Sequence, residues 1–267
     1  MYSLSYVKAK SVKEAAEFLA RNPEAKLLAG GMTMIPTLKA RLARPTHLVD
    51  IASLPELRRI EAKGGKLVIG AGTKHHEVAT SAVVKKAIPA LAGLASEIGD
   101  PQVRNRGTIG GSLANNDPAA DYPAAVLGLD ATVVTTKREI VAEKFFQGLF
   151  TTALEEGEII VRIEFPLPKR AAYSKFYHPA SGYAMAGVFI AHTAEGVRVA
   201  VTGAGPGVFR WQAAEAALAK GLKPAALEGL MLDSREFNND IHADRDYRAN
   251  LVRVMAKRAL AKLSGRK

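Results

Sequence analysis

The 267 residues contain no cysteine. That absence excludes disulfides, thiolate metal sites, iron–sulfur clusters and a cysteine nucleophile inside the chain, so any redox centre must be a bound organic cofactor. Aromatic residues are sparse, at 6% with one tryptophan. No run of about 18 apolar residues is present, which argues against a membrane span. The opening "MYSLSYVKAKSVKEAAEFLA" enters an amphipathic helical pattern and not a basic-then-apolar signal, so a cytoplasmic location is expected. None of the six histidines has HExxH or another zinc spacing, and no metal site is expected. GxxxxGK[ST] is missing too, which disfavours a P-loop kinase or ATPase.

What is abundant is positive charge: the formal net charge is +11. It is spread along the chain with one concentration near the end, at Arg245, Arg248, Arg253, Lys257, Arg258, Lys262, Arg266 and Lys267. Leu251, Val252, Met255, Ala259, Leu260 and Leu263 fall near helical spacing between them, so these bases read as the wet face of a terminal helix. Without an RNP-type aromatic box or a zinc-finger spacing, nucleic acid is not the expected partner. A solvated face or a docking surface for an acidic partner is, and peripheral membrane association stays open.

Three α+β modules follow from the periodicity, at 1–55, 56–168 and 169–267. "SVKE" at 11–14 has the form of a capping box and starts a helix to about Arg21. "AKLLAGG" reads as a buried strand entering a turn, "MIPTLKARLA" as a helix and "THLVDI" as a strand. "LRRIEAKGGKLVIGAGT" gives two strands joined across Gly64-Gly65. Thr73 is placed to cap a helix, and 81–99 is largely helical with a break at Pro89. After "YPAAVLGL" (helix), "ATVVTT" and "EIIVRIEFPLP" (strands), a β-meander follows, then helices at 211–219, 224–230 and 244–263.

Two glycine-rich stretches suggest chemistry: "LLAGGMTMIP" at 27–36 and "TIGGSLAN" at 108–115. Each sets Gly-Gly before a hydroxyl, Thr33 or Ser112, and then helix-compatible sequence. Glycines let a backbone approach an anion closely, successive N–H groups form a nest, and a helix start adds a favourable dipole. The pair suggests a pyrophosphate gripped from two sides. "GAGPGV" at 203–208 only loosely imitates a dinucleotide fingerprint and reads as a turn. Asp117, before Pro118, has the setting of a turn-forming Asx residue. Asp121 is either a helix N-cap or an acceptor for part of a nucleotide.

"LLAGGMTMIPTLKARLARPTHLVDI", "ASEIGDPQVRNRGTIGGSLANNDPAADYPAAVLGLDA" and "GEIIVRIEFP" together resemble the FAD-binding medium subunits of molybdenum hydroxylases, of the carbon monoxide dehydrogenase and xanthine dehydrogenase types. The resemblance implies an α+β fold in which two subdomains clasp FAD, followed by a smaller C-terminal α+β domain with an antiparallel sheet and helices. It implies cofactor-binding roles for Lys26, Ala29, Gly30, Gly31, Met32, Thr33 and Met34 in the first stretch, and for Thr108, Ile109, Gly110, Gly111 and Ser112 in the second. It adds Asp121 near the ribose or pyrophosphate, Ile160 beside the flavin ring, and Tyr177 against it. Met32-Thr33 stands where the family has a polar residue and Ser; Thr33 keeps the hydroxyl. No catalytic residue and no metal ligand are implied. Implied partners are a small subunit with two [2Fe–2S] clusters and a large molybdopterin subunit, in a dimer of heterotrimers, and a small-molecule electron acceptor (NAD⁺, a quinone or O₂). The basic terminal helix or Arg104-Asn105-Arg106 would meet the partners. The alternative keeps FAD but makes the chain a stand-alone flavoprotein oxidoreductase.

Overall fold

A computed structural model describes residues 1–265. The first sheet has strands β1 (Ser5–Lys8), β2 (Lys26–Leu28) and β3 (His47–Asp50), all parallel, in the order β1-β3-β2. Helix α1 (Val12–Arg21) returns the chain from β1. The Ser11 half of its capping box forms as expected, Ser11 Oγ accepting from Glu14 N at 3.1 Å, while the Glu14 carboxylate accepts from Lys10 N, one residue before the cap, at 2.8 Å. Helix α2 (Met34–Lys39) follows β2 and is shorter than the sequence suggests. Arg41 takes a φ of 58°, which turns the chain out of the helix before Arg44-Pro45.

A second, antiparallel sheet has β4 (Ile60–Lys63), β5 (Lys66–Gly70), β6 (Thr132–Thr135), β7 (Glu139–Val141) and β10 (Ile160–Pro166), ordered β4-β5-β10-β6-β7. Gly64 and Gly65, at φ 59° and 75°, make the two-residue turn between β4 and β5 that only residues tolerant of positive φ permit. Between β5 and β6 run six short helices: α3 (His75–Thr80), α4 (Ala82–Ala87), α5 (Pro89–Ser96), α6 (Pro101–Arg106), α7 (Ile109–Asn115) and α8 (Tyr122–Gly128). Pro89 opens α5, at the position where a missing N–H costs nothing. Thr73 does not cap α3; Lys74 does, with Glu77 Oε2 accepting Lys74 N at 2.9 Å. After β7 come α9 (Ala142–Phe145) and the hairpin β8 (Phe146–Gly148)–β9 (Thr151–Thr152).

The third sheet is the expected meander: β11 (Arg170–Tyr177), β12 (Ala184–His192), β13 (Val197–Thr202) and β14 (Phe209–Arg210). Helices α10 (Gln212–Ala219) and α11 (Arg245–Leu263) pack on it, and the helix expected at 224–230 is only a 3-10 turn over Pro224–Leu227. The core of the second sheet runs on through Tyr173, Phe189, Ala191 and Ala200 of the third, so these two sheets share one apolar interior. No helix among the described residues is long and apolar enough to cross a membrane.

The terminal helix corrects one expectation. Arg248 is not on a wet face; it is 5% exposed, because α11 lies across β12. Its guanidinium donates to Met185 O and Gly203 O at 3.0 and 3.1 Å and to Asp240 Oδ2 at 2.7 Å. Lys257 and Arg258 are exposed as expected, while Arg266 and Lys267 lie outside the described residues. Arg248→Met should therefore lower stability by about 3 kcal/mol, since two carbonyls and a carboxylate lose their donor. Lys257→Met should stay within about 0.5 kcal/mol. Urea denaturation of both variants checks this, and equal effects would contradict it.

Candidate functional site

A cleft of about 700 Å³ lies where the first sheet, α6, α7, the segment before β10 and the β11–β12 turn converge. It is lined by Lys26, Ala29, Gly30, Gly31, Met32, Thr33, Met34, Thr108, Gly110, Gly111, Ser112, Asp121 and Ile160. Two of the residues expected to share a site, Ile109 and Tyr177, are not among its walls. Ile109 is fully buried in the core.

The first glycine stretch forms the anion-ready wall. The chain leaves β2 at Leu28, turns at Gly31 (φ 75°) and enters α2 at Met34. Among the described residues, no acceptor takes the N–H groups of Gly30, Gly31, Met32, Thr33 and Met34. The Thr33 hydroxyl makes no cap bond either. Exposed Lys26 adds a cation at the same wall. Gly30 has a separate reason to lack a side chain: a Cβ there would lie 2.1 Å from Arg106 O.

The second glycine stretch lines the same cleft but spends its N–H groups within the protein. Gly110 and Gly111 are in the first turn of α7, and every N–H around them is already bonded. Ile109 N reaches Thr73 O (3.0 Å), Gly110 N reaches Ala71 O (2.8 Å), Gly111 N reaches Thr108 Oγ1 (3.1 Å) and Ser112 N reaches Thr108 O (3.0 Å). A Cβ on Gly110 would come within 2.8 Å of Ala71 O, so this glycine serves close packing of α7 on the end of β5. What this wall offers a ligand is its surface and the Ser112 hydroxyl.

Asp121 occupies the N-cap position of α8, yet its carboxylate makes no cap bond. It is 3% exposed and accepts from Tyr173 Oη at 2.5 Å and Lys175 Nζ at 3.1 Å. Burial pushes its carboxyl up to about 6, against the pull of Lys175 and the Tyr173 hydroxyl. Lys175 also donates to Glu97 O and Gly182 O, both at 2.8 Å, and so ties the α5–α6 turn to the β11–β12 turn. The sequence reading missed Lys175. The available signal was its place two residues after Tyr173 on a strand, which gives both the same face. Arg104 braces the same region, donating to Ile98 O and Gly99 O at 2.9 and 2.8 Å.

Tyr177 is 60% exposed and lines a neighbouring depression of about 880 Å³ with Arg258 and Lys262. A register shift between Phe176 and Tyr177 redirects its side chain. Tyr183, at the other end of the turn, is the aromatic that lines the cleft. Asp117 is the Asx turn residue expected, its Oδ1 accepting from Ala119 N at 2.9 Å. Ile160 opens β10, and the buried side chain of Glu158 shapes the approach to it. Glu158 accepts from Thr135 Oγ1 (2.6 Å), Glu155 N (2.8 Å) and Arg138 Nε (3.2 Å).

His75 lines the cleft and is 5% exposed, with Nδ1 unpartnered. Burial, helped by nearby Arg104, lowers its pKa to about 4. The folded state thus resists a proton that the unfolded chain accepts near its ordinary value. This contribution to stability is complete above about 6.5 and is lost as pH falls toward 4, by up to about 3 kcal/mol. Asp121 acts in the opposite sense, adding stability as pH falls from about 6 toward its ordinary range. His75→Gln should therefore lose less of its urea midpoint than the parent between pH 7 and pH 4.5. Parallel curves for the two proteins would contradict the assignment.

A family model described as the FAD binding domain in molybdopterin dehydrogenase matches residues 2–168. The carbon monoxide dehydrogenase medium chain of Hydrogenophaga pseudoflava is 36% identical over 269 residues, spanning 94% of this chain and 93% of its own. The nicotine 6-hydroxylase medium subunit of Paenarthrobacter nicotinovorans is 32% identical, spanning 99% of this chain and 98% of its own. In the reconstituted CO dehydrogenase from Oligotropha carboxidovorans, a chain 31% identical superposes with a TM-score of 0.92, covering 100% of this chain and 99% of that one. With five free N–H groups lining its cleft, the chain belongs to the FAD-binding family of the molybdopterin dehydrogenases, and FAD is its cofactor.

Proposed function

We propose that this chain is the FAD-carrying electron-transfer subunit of a molybdenum hydroxylase complex. The observation that carries the reading is that Gly30 to Met34, whose N–H groups take no acceptor among the described residues, line a cleft of nucleotide size. Five unpartnered donors with an adjacent ammonium, Lys26, suit a pyrophosphate. The Thr33 and Ser112 hydroxyls add donors from the two sides. Ile160 and Tyr183 supply the apolar and aromatic surfaces that a flavin ring needs for orientation and water exclusion. Asp121 is engaged by Tyr173 and Lys175, so its role is to set the shape of the wall through them.

Bound FAD supplies the capacity to take up electrons singly and release them as a pair. The chain's own residues hold and shield it; no proton transfer by a side chain is required of them. Because no cysteine is present, one-electron clusters feeding the cleft must belong to another polypeptide. Relatives named as medium chains and medium subunits support such an assembly. In this reading the partners are a small [2Fe–2S] subunit and a large molybdopterin subunit, paired as a dimer of heterotrimers. The final acceptor is NAD⁺, a quinone or O₂.

The purified chain or complex should be yellow, with close to one FAD per chain. Gly31→Val places a branched side chain at φ 75°, beside Ile35 Cγ1, and disturbs the nest directly. Flavin occupancy in this variant should fall at least about tenfold while far-ultraviolet circular dichroism stays unchanged. Full occupancy in a folded Gly31→Val chain would overturn the assignment of this loop.

A further inference from the structure

His75 is a buried histidine whose nitrogens the fold itself does not use. It opens α3, and its place is fixed through the backbone: Lys74 bridges Thr108 in antiparallel register, and His75 N donates to Gly107 O at 2.9 Å. The ring packs beside Tyr122, with the centroids 5.4 Å apart. Nδ1 is sealed in the interior without a partner. Among the described residues, the histidine rings that take part in hydrogen bonds are those of His47, His178 and His242. A polar ring buried this way costs free energy that an apolar side chain of similar size would not.

The unused ring lies at the first glycine stretch. A Cβ on Gly107 would fall 2.5 Å from His75 Nε2, and a Cβ on Gly30 would fall 2.8 Å from Gly107 Cα. Gly30, Gly107 and the imidazole therefore follow one another in close contact, and all three line the cleft. We propose that His75 is a cofactor-binding residue, its Nε2–H donating to the diphosphate of FAD beside Gly30. The inference rests on the reading of Gly30–Met34 as the pyrophosphate site. Burial and nearby Arg104 keep the imidazole uncharged, so it holds a single N–H. No protein acceptor competes for that proton. Lys26 supplies charge at the same wall, and the histidine adds a directed bond from a ring that the backbone has already set in place.

The test removes the nitrogens and keeps the bulk, comparing His75→Leu with His75→Gln, whose amide nitrogen can stand where Nε2 stands. In the flavin-free full chain at neutral pH, His75→Leu should melt at or above the parent, because an orphaned polar group has left the interior. Its Kd for FAD should nevertheless rise at least about tenfold, while His75→Gln binds FAD within about threefold of the parent. An unchanged Kd in His75→Leu overturns the proposal. So does weakened binding that His75→Gln fails to restore, or a fall in Tm that accompanies the loss of affinity, since either makes the ring a packing residue. Should His75→Leu not fold, the parent isotopically labelled at its histidine nitrogens decides by NMR. The Nε2 resonance of His75 must move on adding FAD and stay put on adding riboflavin, which lacks the diphosphate; any other pattern overturns the assignment. If Gly31→Val loses FAD while His75→Leu keeps it, the function reading stands and this inference falls. A parent chain that binds no FAD ends both.

Discussion

The cleft depends on backbone lying against backbone with no side chain between. Gly30 rests on the Arg106 carbonyl and Gly107, Gly110 rests on Ala71, and Gly70 rests on Leu57 O. At each contact a Cβ would fall within 3 Å of a main-chain atom, closer than packed atoms approach. The Gly30 contact brings the first parallel sheet up to the α6–α7 connection, so that Gly30–Met34 and the start of α7 line one cleft. The nest and the opposite wall therefore owe their spacing to the same missing methyl groups.

Two stretches of near-identical pattern end up with different jobs for a local reason. After β2, no acceptor among the described residues takes the N–H groups of Gly30 to Met34, so they stay available. After β5, Thr73 O and Ala71 O lie under the start of α7, and Thr108 caps it, so the donors are consumed within the protein. Hydrogen bonding to a ligand and hydrogen bonding to the fold compete for the same groups. The identity of neighbouring carbonyls decides which wins.

Buried charge does further positioning. Lys175 and Arg104 hold carbonyls at 97–99, and Lys175 adds Gly182 O, so the turns on two sides of the cleft are fixed by two cations. The Asp121 carboxylate balances Lys175 inside the protein. Such a network favours one arrangement of the walls over others. Buried Asn116 holds the β8–β9 turn in the same way, donating to Gly148 O and Thr151 O.

The sequence by itself determined the α+β class, the helix at 11–21, the hairpin across Gly64-Gly65, the meander and the terminal helix, and it pointed to both glycine stretches as the candidate anion site. Those are local matters of period, capping and turn chemistry, legible in "SVKE", "KGGK" and "LLAGGMT". It also led to FAD through the motif pattern. Tertiary structure alone decided that the second glycine stretch lines the cleft with its N–H groups already spent, two of them on Thr73 O and Ala71 O from over thirty positions earlier. It decided that Tyr183, not Tyr177, faces the cleft, through a register shift that no alternation pattern announces. It placed Arg248 inside and engaged Asp121 with Lys175, since burial and partners arise only when distant segments meet.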